Sequence, residues 1–255
     1  MKLRMNFKYA FVREPSDEYK RCITSHPLRN SIDINKTRKQ HAIYCQTLSD
    51  LGLELIKLPR LSEHPDSCFI EDTAVIHNNK AFITRMGTKS RRGEVTSVEK
   101  YIEEYLEVKK AKNPAIIEGG DVIHLKKYLI SGITQRTNQD GVNQMAEYLN
   151  IKVDTCGDPE IVHLKSYVTY IGQNTIIVTK RFSNHKTFDK FTKIVIEDKE
   201  SYAANALAIK NTVLMAEGYD QAQSKVKEAG FNVIGLKMSE FQKCEGALTC
   251  LSLLF

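Results

Sequence analysis

The chain has no tryptophan, and only six prolines and six cysteines among its 255 residues. Without Trp, the aromatic area of any core or pocket must come from the eleven Tyr and ten Phe residues. No apolar run is long enough for a membrane helix, and the beginning lacks the charged, apolar and small-residue order of a secretion signal. Both absences point to a cytoplasmic protein with no membrane partner. The cysteines stand far apart, at positions 22, 45, 68, 156, 244 and 250, with no Cys-x-x-Cys pair. That spacing argues against a disulfide framework and a thiolate zinc site. No His-Glu-x-x-His or phosphate-loop pattern occurs. Lys and Arg outnumber Asp and Glu by 37 to 31, for a formal net charge of +6. The positives are scattered and lack aromatic interleaving, so nucleic acid is not an expected partner.

What is present is a repeated order of elements. A chain of this length buries about 70–75% of its unfolded surface and needs no staple. Strands at 68–76 and 81–85 flank a His77-Asn78-Asn79-Lys80 turn, with a helix at 94–106 and a strand opening at Ala115-Ile116-Ile117. The same order returns at 121–125, 127–132, 139–149 and 151–155. It returns again at 161–170, 174–179, 186–191 and 192–196, and once more at 205–209, 211–216, 220–229 and 231–236. The pattern His124-Leu125-Lys126-Lys127-Tyr128 is echoed by His163-Leu164-Lys165-Ser166-Tyr167.

The ends supply the missing fifth copy. The last ten residues, Gly246 to Phe255, are apolar and uncharged, which suits an inserted strand at 248–254 better than a frayed tail. The beginning offers a strand at 6–12, a helix at 36–50 stopped by Gly52, and a strand at 53–58. Five ββαβ modules closed around an axis leave no unmatched inner edge. The expectation is a single domain over 1–255: a five-bladed α/β propeller whose last blade is closed by both termini. The long polar segment 14–34 is a candidate lid.

Such a ring directs four polar positions to its centre: Glu71-Asp72, Glu118 to Asp121, His163 and Cys250. Cys250 reads either as a buried thiol or as a nucleophile on a rigid strand. His163 reads as a structural histidine or as the group that favours the thiolate and protonates a leaving nitrogen. Glu118, before two glycines, is an ordinary acidic turn or a carboxylate that orients His163. On a strand, Glu71 and Asp72 point to opposite faces and so do different jobs. Phe69 supplies a possible wall. Carboxylates of this kind suit a planar guanidinium, with a metal pair as the competing reading.

Several runs, in this order, resemble the dimethylarginine dimethylaminohydrolases of the guanidino-group modifying superfamily, which also holds arginine deiminases and amidinotransferases. They are Pro65-Asp66-Ser67-Cys68-Phe69-Ile70-Glu71-Asp72, Ile83-Thr84-Arg85, Ser90-Arg91-Arg92-Gly93-Glu94, Glu118-Gly119-Gly120-Asp121, Arg136-Thr137-Asn138, His163-Leu164-Lys165, Glu200 to Asn205, and Cys250-Leu251-Ser252-Leu253. The resemblance spans essentially the whole chain. It implies the five-bladed propeller with a central site, Cys250 as nucleophile, His163 as general acid and base, and Glu118 as its partner. It implies that Asp72 binds the guanidinium, that Asp66, Phe69 and Glu71 shape the pocket, and that Arg85 and Arg136 bind an α-carboxylate. His124 is left a structural role. The implied reaction converts methylated or dimethylated L-arginine to L-citrulline and an amine through an S-alkylthiouronium intermediate, with no cofactor or metal. Hydrolysis of unmethylated arginine and a non-catalytic arginine-binding module are the alternatives. A monomer or homodimer fits equally. Leu254 departs from the family, where Arg is common.

Overall fold

A computed structural model describes residues 7–255. Asn6, the first residue of the strand expected at 6–12, lies outside the described residues. The described strands form five three-stranded sheets. In the first unit, β3 (Ala74–His77) pairs antiparallel with β4 (Lys80–Ile83), which pairs parallel with β5 (Glu107–Lys110) across α2 (Glu94–Ile102). The second unit is β6 (Val122–His124), β7 (Leu129–Ile133), α3 (Gln139–Leu149) and β8 (Val153–Gly157). The third is β9 (Val168–Gly172), β10 (Thr175–Thr179), the short α4 (Lys180–Ser183) and β11 (Thr192–Ile196). The fourth is β12 (Leu207–Ile209), β13 (Thr212–Ala216), α5 (Asp220–Glu228) and β14 (Asn232–Leu236). The fifth joins the two ends: β15 (Ser252–Leu254) is antiparallel to β1 (Tyr9–Arg13), which runs parallel to β2 (Glu54–Leu58) across α1 (Ile34–Asp50).

Closure is what buries the apolar side chains. Five clusters form, each between neighbouring units rather than inside one. Phe11, Leu58 and Leu253 of the fifth unit pack on Ile76, Ile83 and Val98 of the first. Ile171 and Ile194 of the third meet Val213 and Val226 of the fourth. No unit covers its own apolar face, so each needs two neighbours and the chain ends must meet. The middle strands are nearly continuous apolar runs, as in the fully buried Thr175–Thr179.

Two local expectations are corrected. The strand expected at Ala115-Ile116-Ile117 forms earlier, at Glu107-Val108-Lys109-Lys110, an outer edge strand whose charged residues suit exposure but hide its hydrophobic signal. Ala115 and Ile117 are instead buried between units, with a single bridge from Ile117 to Arg85. The strand expected from 161 begins only at Val168. Its hairpin turns on Gln173 and Asn174, both at positive φ (50° and 58°), the pairing a two-residue turn between twisted strands requires.

The cysteine reading is corrected as well. Cys22 and Cys244 form a disulfide with Cα atoms 6.0 Å apart. Their distance in sequence hides the pair, because only closure of the ring brings the expected lid onto the segment that leads to Cys250. The tie is reinforced by Thr24 Oγ1 donating to the Lys243 carbonyl at 2.9 Å and Ser25 Oγ donating to Glu245 at 2.7 Å.

Candidate active site

In four of the five units a short turn of tight helix precedes the inner strand, and these turns, with the residues just before them, carry side chains of the candidate site. Ile70–Thr73 precedes β3, Gly119–Asp121 precedes β6, Leu164–Ser166 precedes β9, and Thr249–Leu251 precedes β15. Glu118 and His163 hold the position just before their turns in extended backbone. Cys250 therefore lies on a turn, not on the strand expected at 248–254. The same correction applies to Glu71 and Asp72, whose different tasks come from a turn rather than from opposite strand faces. It also separates His124 from His163. His124 ends strand β6, so Glu118 is the positional counterpart of His163 and the local sequence echo has no structural meaning.

Three of the expected residues meet directly. His163 Nε2 lies 2.7 Å from Glu118 Oε2 and 3.7 Å from Asp72 Oδ1. Asp72 Oδ1 also accepts from the Gly120 amide at 3.0 Å, and its Oδ2 accepts from Arg91 Nη1 at 2.8 Å. Glu118 Oε1 accepts from the Gly87 amide at 2.9 Å and from Arg136 Nη1 at 3.4 Å. The two acids press His163 toward the imidazolium against the cost of burial, and its pKa rises to about 9. Although burial works against ionisation, His163 and Arg91 hold the Asp72 carboxyl below its ordinary range, and His163 does the same for Glu118.

Gly120 makes the meeting possible. A Cβ there would lie 2.7 Å from Asp72 Oδ1 and 2.8 Å from the His163 ring atoms Cγ and Nδ1. Gly120→Ala is expected to displace the ring and lower kcat by about 10–100-fold, because misplacement by about 1 Å carries a cost of that order. Gly157→Ala, with nothing within 4 Å of its added methyl, is the control expected to leave kcat unchanged. Equal kinetics in both variants would contradict this packing.

Cys250, on the Thr249–Leu251 turn, lies in the field of Glu71 and Asp72. The residue is partly exposed as a whole, while burial of its thiol together with the charges of Glu71 and Asp72 pushes the pKa up to about 12. Among the described residues no hydrogen bond joins Cys250 to His163; Asp72 is the group that acts on both. The turn below the thiol is fixed by a buried polar network. Thr249 Oγ1 donates to Glu71 Oε2 at 2.7 Å, Lys165 Nζ donates to Glu71 Oε1, and the Thr249 amide donates to Asn205 Oδ1 at 3.0 Å. Glu71 thus faces Lys165 and Thr249. Breaking a buried pair of this kind costs about 3–5 kcal/mol by leaving one charge uncompensated.

The remaining expected residues divide. Asp66 accepts the Ile23 amide at 3.1 and 3.2 Å, so it ties down the 14–34 segment. Phe69 packs edge-on against Tyr19 of that segment, ring centroids 6.0 Å apart, and against Phe241. Arg136 stands beside Glu118. Arg85 does not join the cluster: its Nη1 donates to the Ala115 carbonyl at 3.0 Å.

Two contributors were not assigned from sequence. Arg91, inside the quoted Ser90-Arg91-Arg92-Gly93-Glu94 run, is buried and forked onto Glu94 at 2.9 Å through both Nε and Nη2 while reaching Asp72. Its place in a Ser-Arg-Arg-Gly-Glu run was the available signal. Asp121 accepts from the Leu164 amide at 2.8 Å and from Thr137 Oγ1 at 2.6 Å, which locks the turn after His163.

The cluster suits a planar cation. Arg91 already seats its own guanidinium on Asp72, which shows the carboxylate's orientation fits that group. Asp72, Glu118 and His163 also offer three donor atoms within 4.8 Å of one another, a spacing a metal ion could use. Arg91 already pairs with Asp72 at 2.8 Å, so a divalent ion there would compete with a buried guanidinium.

The chain matches the family model described as N,N dimethylarginine dimethylhydrolase, eukaryotic, over residues 7–252. It is 31% identical over 255 residues to the N(G),N(G)-dimethylarginine dimethylaminohydrolase of Pseudomonas aeruginosa, covering 98% of this chain and 100% of the relative. A solved cysteine-to-serine variant of the Pseudomonas aeruginosa protein with citrulline superposes with a TM-score of 0.95 at 30% identity, over 98% of this chain and 100% of that one. A solved adduct of a histidine-to-glycine dimethylarginine dimethylaminohydrolase with S-methyl-L-thiocitrulline gives a TM-score of 0.94 at 30% identity, with the same coverage. With these inter-blade cores, this ring of turns and this acid–imidazole–thiol site, the chain belongs to the dimethylarginine dimethylaminohydrolase family.

Proposed function

We propose that the protein is a single-domain cysteine hydrolase that converts N-omega-methylated or dimethylated L-arginine to L-citrulline and methylamine or dimethylamine. The observation that carries this reading is the meeting of Asp72, Glu118 and His163 on turns that also bring up Cys250. Asp72 holds the substrate guanidinium, and Arg136 takes the α-carboxylate. Asp66 and Phe69 hold the lid segment against the pocket, and Glu71 supports the Cys250 turn from beneath. Arg85 would need to leave the Ala115 carbonyl to reach a carboxylate.

The resting state pairs a neutral thiol with an imidazolium. Arrival of the substrate cation beside Cys250 favours the thiolate and sends the thiol proton to solvent. The sulfur then attacks the central guanidinium carbon. His163 donates its proton to the departing amine as the C–N bond breaks, leaving the S-alkylthiouronium on Cys250. Neutral His163 next removes a proton from water; the resulting hydroxide adds to the same carbon, and as the C–S bond breaks the proton left on that oxygen passes to the departing sulfur, which returns the thiol, citrulline and the imidazolium.

The proposed setting is the cytoplasm. The substrate is a free amino acid, and among the described residues no helix is long and apolar enough to cross a membrane. In that compartment the Cys22–Cys244 bridge would meet cellular thiols.

A panel of asymmetric dimethylarginine, monomethylarginine, arginine and agmatine tests the reading, with citrulline-type product and released amine both measured. The methylated amino acids are expected to turn over fastest and agmatine, lacking the α-carboxylate, slowest. Turnover of arginine alone would reject the methylarginine assignment. Arg136→Ala is expected to raise KM for the amino acids about 10–100-fold through lost charge-assisted contacts; an unchanged KM would remove Arg136 from carboxylate binding.

A further inference from the structure

The propeller has a second concavity on its axis, separate from the substrate site. A cavity of about 790 Å³ runs inside the inner strands, lined by Ile76 of β3, Ile123 of β6, Ile171 of β9, Leu207 of β12 and Leu253 of β15. Its mouth is the ring of hairpin turns, at Asn78, Lys126, Gln173 and Lys210, with Phe7 and Phe255 beside them. Its floor is Glu71, Gly119, Lys165 and Thr249, the undersides of the turns described above. None of Asp72, Glu118, His163, Arg91, Arg136 or Cys250 lines it. The volume lies within the roughly 300–1,000 Å³ usual for small-molecule sites, which are mainly apolar with a few convergent polar groups.

Three lysines line this cavity against one carboxylate: Lys126 and Lys210 stand exposed at the mouth, the latter with its amine on the Leu51 carbonyl at 3.2 Å, and Lys165 is buried at the floor. Glu71 is the single carboxylate among the lining residues, and its oxygens are taken by Lys165 and Thr249. His124 also lines the wall, with a buried Nε2 that has no hydrogen-bond partner among the described residues. Burial and the charge of Lys165 lower its pKa to about 3, so the ring is neutral and adds no acid to the wall. Apolar sides with lysines at both ends match a molecule that has an apolar body and a negative group.

We propose that the axial cavity is a second ligand site, for a small apolar-bodied monoanion such as an aromatic or short acyl carboxylate or sulfonate, and that its occupation lowers turnover at Cys250. The route is physical and short. An anion at the floor competes with Glu71 for Lys165, which leaves the Glu71 charge less compensated beside Thr249 and Cys250. The thiol is then harder to ionise. Binding by itself is independent of the proposed catalytic chemistry, whereas the effect on turnover rests on it.

The probe is 8-anilinonaphthalene-1-sulfonate, titrated by fluorescence into the full-length enzyme, with kcat, KM and the iodoacetamide reaction rate of Cys250 followed in parallel. Saturable one-to-one binding is expected, with kcat and the alkylation rate falling together and KM for asymmetric dimethylarginine unchanged. Ala208→Trp, which fills the wall, and the double variant Lys126→Glu with Lys210→Glu, at exposed turns, should each weaken binding at least about tenfold. Both should keep basal turnover. Unchanged affinity in the charge-reversed double variant, which leaves the core untouched, would overturn the site, as would displacement of the probe by citrulline. Binding that obeys the variants but leaves both kcat and the alkylation rate unaltered would overturn the coupling. A slowed alkylation rate without any turnover of methylarginines would support the site and its coupling while rejecting the proposed reaction.

Discussion

Cys250→Ser is expected to abolish citrulline formation from methylarginines, with kcat falling by at least about 10³-fold, while the fold and substrate affinity persist. The substitution exchanges sulfur for a less polarisable, less acidic oxygen and removes the one nucleophile aimed at the substrate carbon. Structural survival is expected because the turn does not hang on the sulfur. Thr249 is held by Glu71 and Asn205, and Leu251 is fully buried in the cluster between the fourth and fifth units. Circular dichroism and the melting temperature check the fold, calorimetry checks binding, and a citrulline assay checks turnover. Residual turnover near wild type would remove Cys250 from the reaction.

Glu118→Gln is expected to cost about 10²–10⁴-fold in kcat and to move the alkaline limb of the pH profile downward. Glu118 is completely buried and contacts His163 at 2.7 Å, so it is a principal reason that the ring stays charged up to about 9. Without that charge the imidazolium loses its proton nearer 6.5, its ordinary value, and fewer molecules can protonate the leaving amine at neutral pH. Stability follows the same linkage. The raised His163 pKa contributes stability that is complete below 6.5 and lost as pH rises through about 9. The lowered Glu118 pKa contributes stability present above 4.5 and lost as pH falls through its depressed value. The gap in melting temperature between wild type and Glu118→Gln should therefore be widest between 4.5 and 6.5 and should close toward 9. An alkaline limb fixed at the wild-type position, or a gap that widens with pH, would contradict the assigned partnership.

The ring order was legible because its middle strands and helices carry strong periodic signals. Gln139–Leu149 forms the helix expected at 139–149, and Thr175–Thr179 forms the strand expected at 174–179. The apolar end was informative for a similar reason. It had to be covered, and the beginning of the chain was the only segment without a partner unit. The tight turns before the inner strands were not legible, since one turn of helix leaves no period to detect and Cys250, Glu71 and Asp72 sit in strand-like surroundings. The charged edge strand Glu107–Lys110 was missed because its pairing comes from the β4 backbone and not from its side chains. Arg91 was visible as a motif but not as a contact, because its reach to Asp72 depends on the bend that follows β4. The Cys22–Cys244 bridge depends wholly on closure. Site chemistry could thus be read as residue types, while its geometry belonged to the fold.

The central claim is that the Cys250 sulfur bonds to the guanidinium carbon. S-methyl-L-thiocitrulline carries a thiolate leaving group that needs no protonation, so His163→Gly should still form the bond yet lack the base that activates water. Intact-mass measurement followed by peptide mapping of that variant, incubated with the analogue, is the most direct test. A single stable adduct on Cys250 is the predicted result. An unmodified Cys250 alongside continued release of methanethiol, or an adduct on Cys45, Cys68 or Cys156 instead, would contradict it.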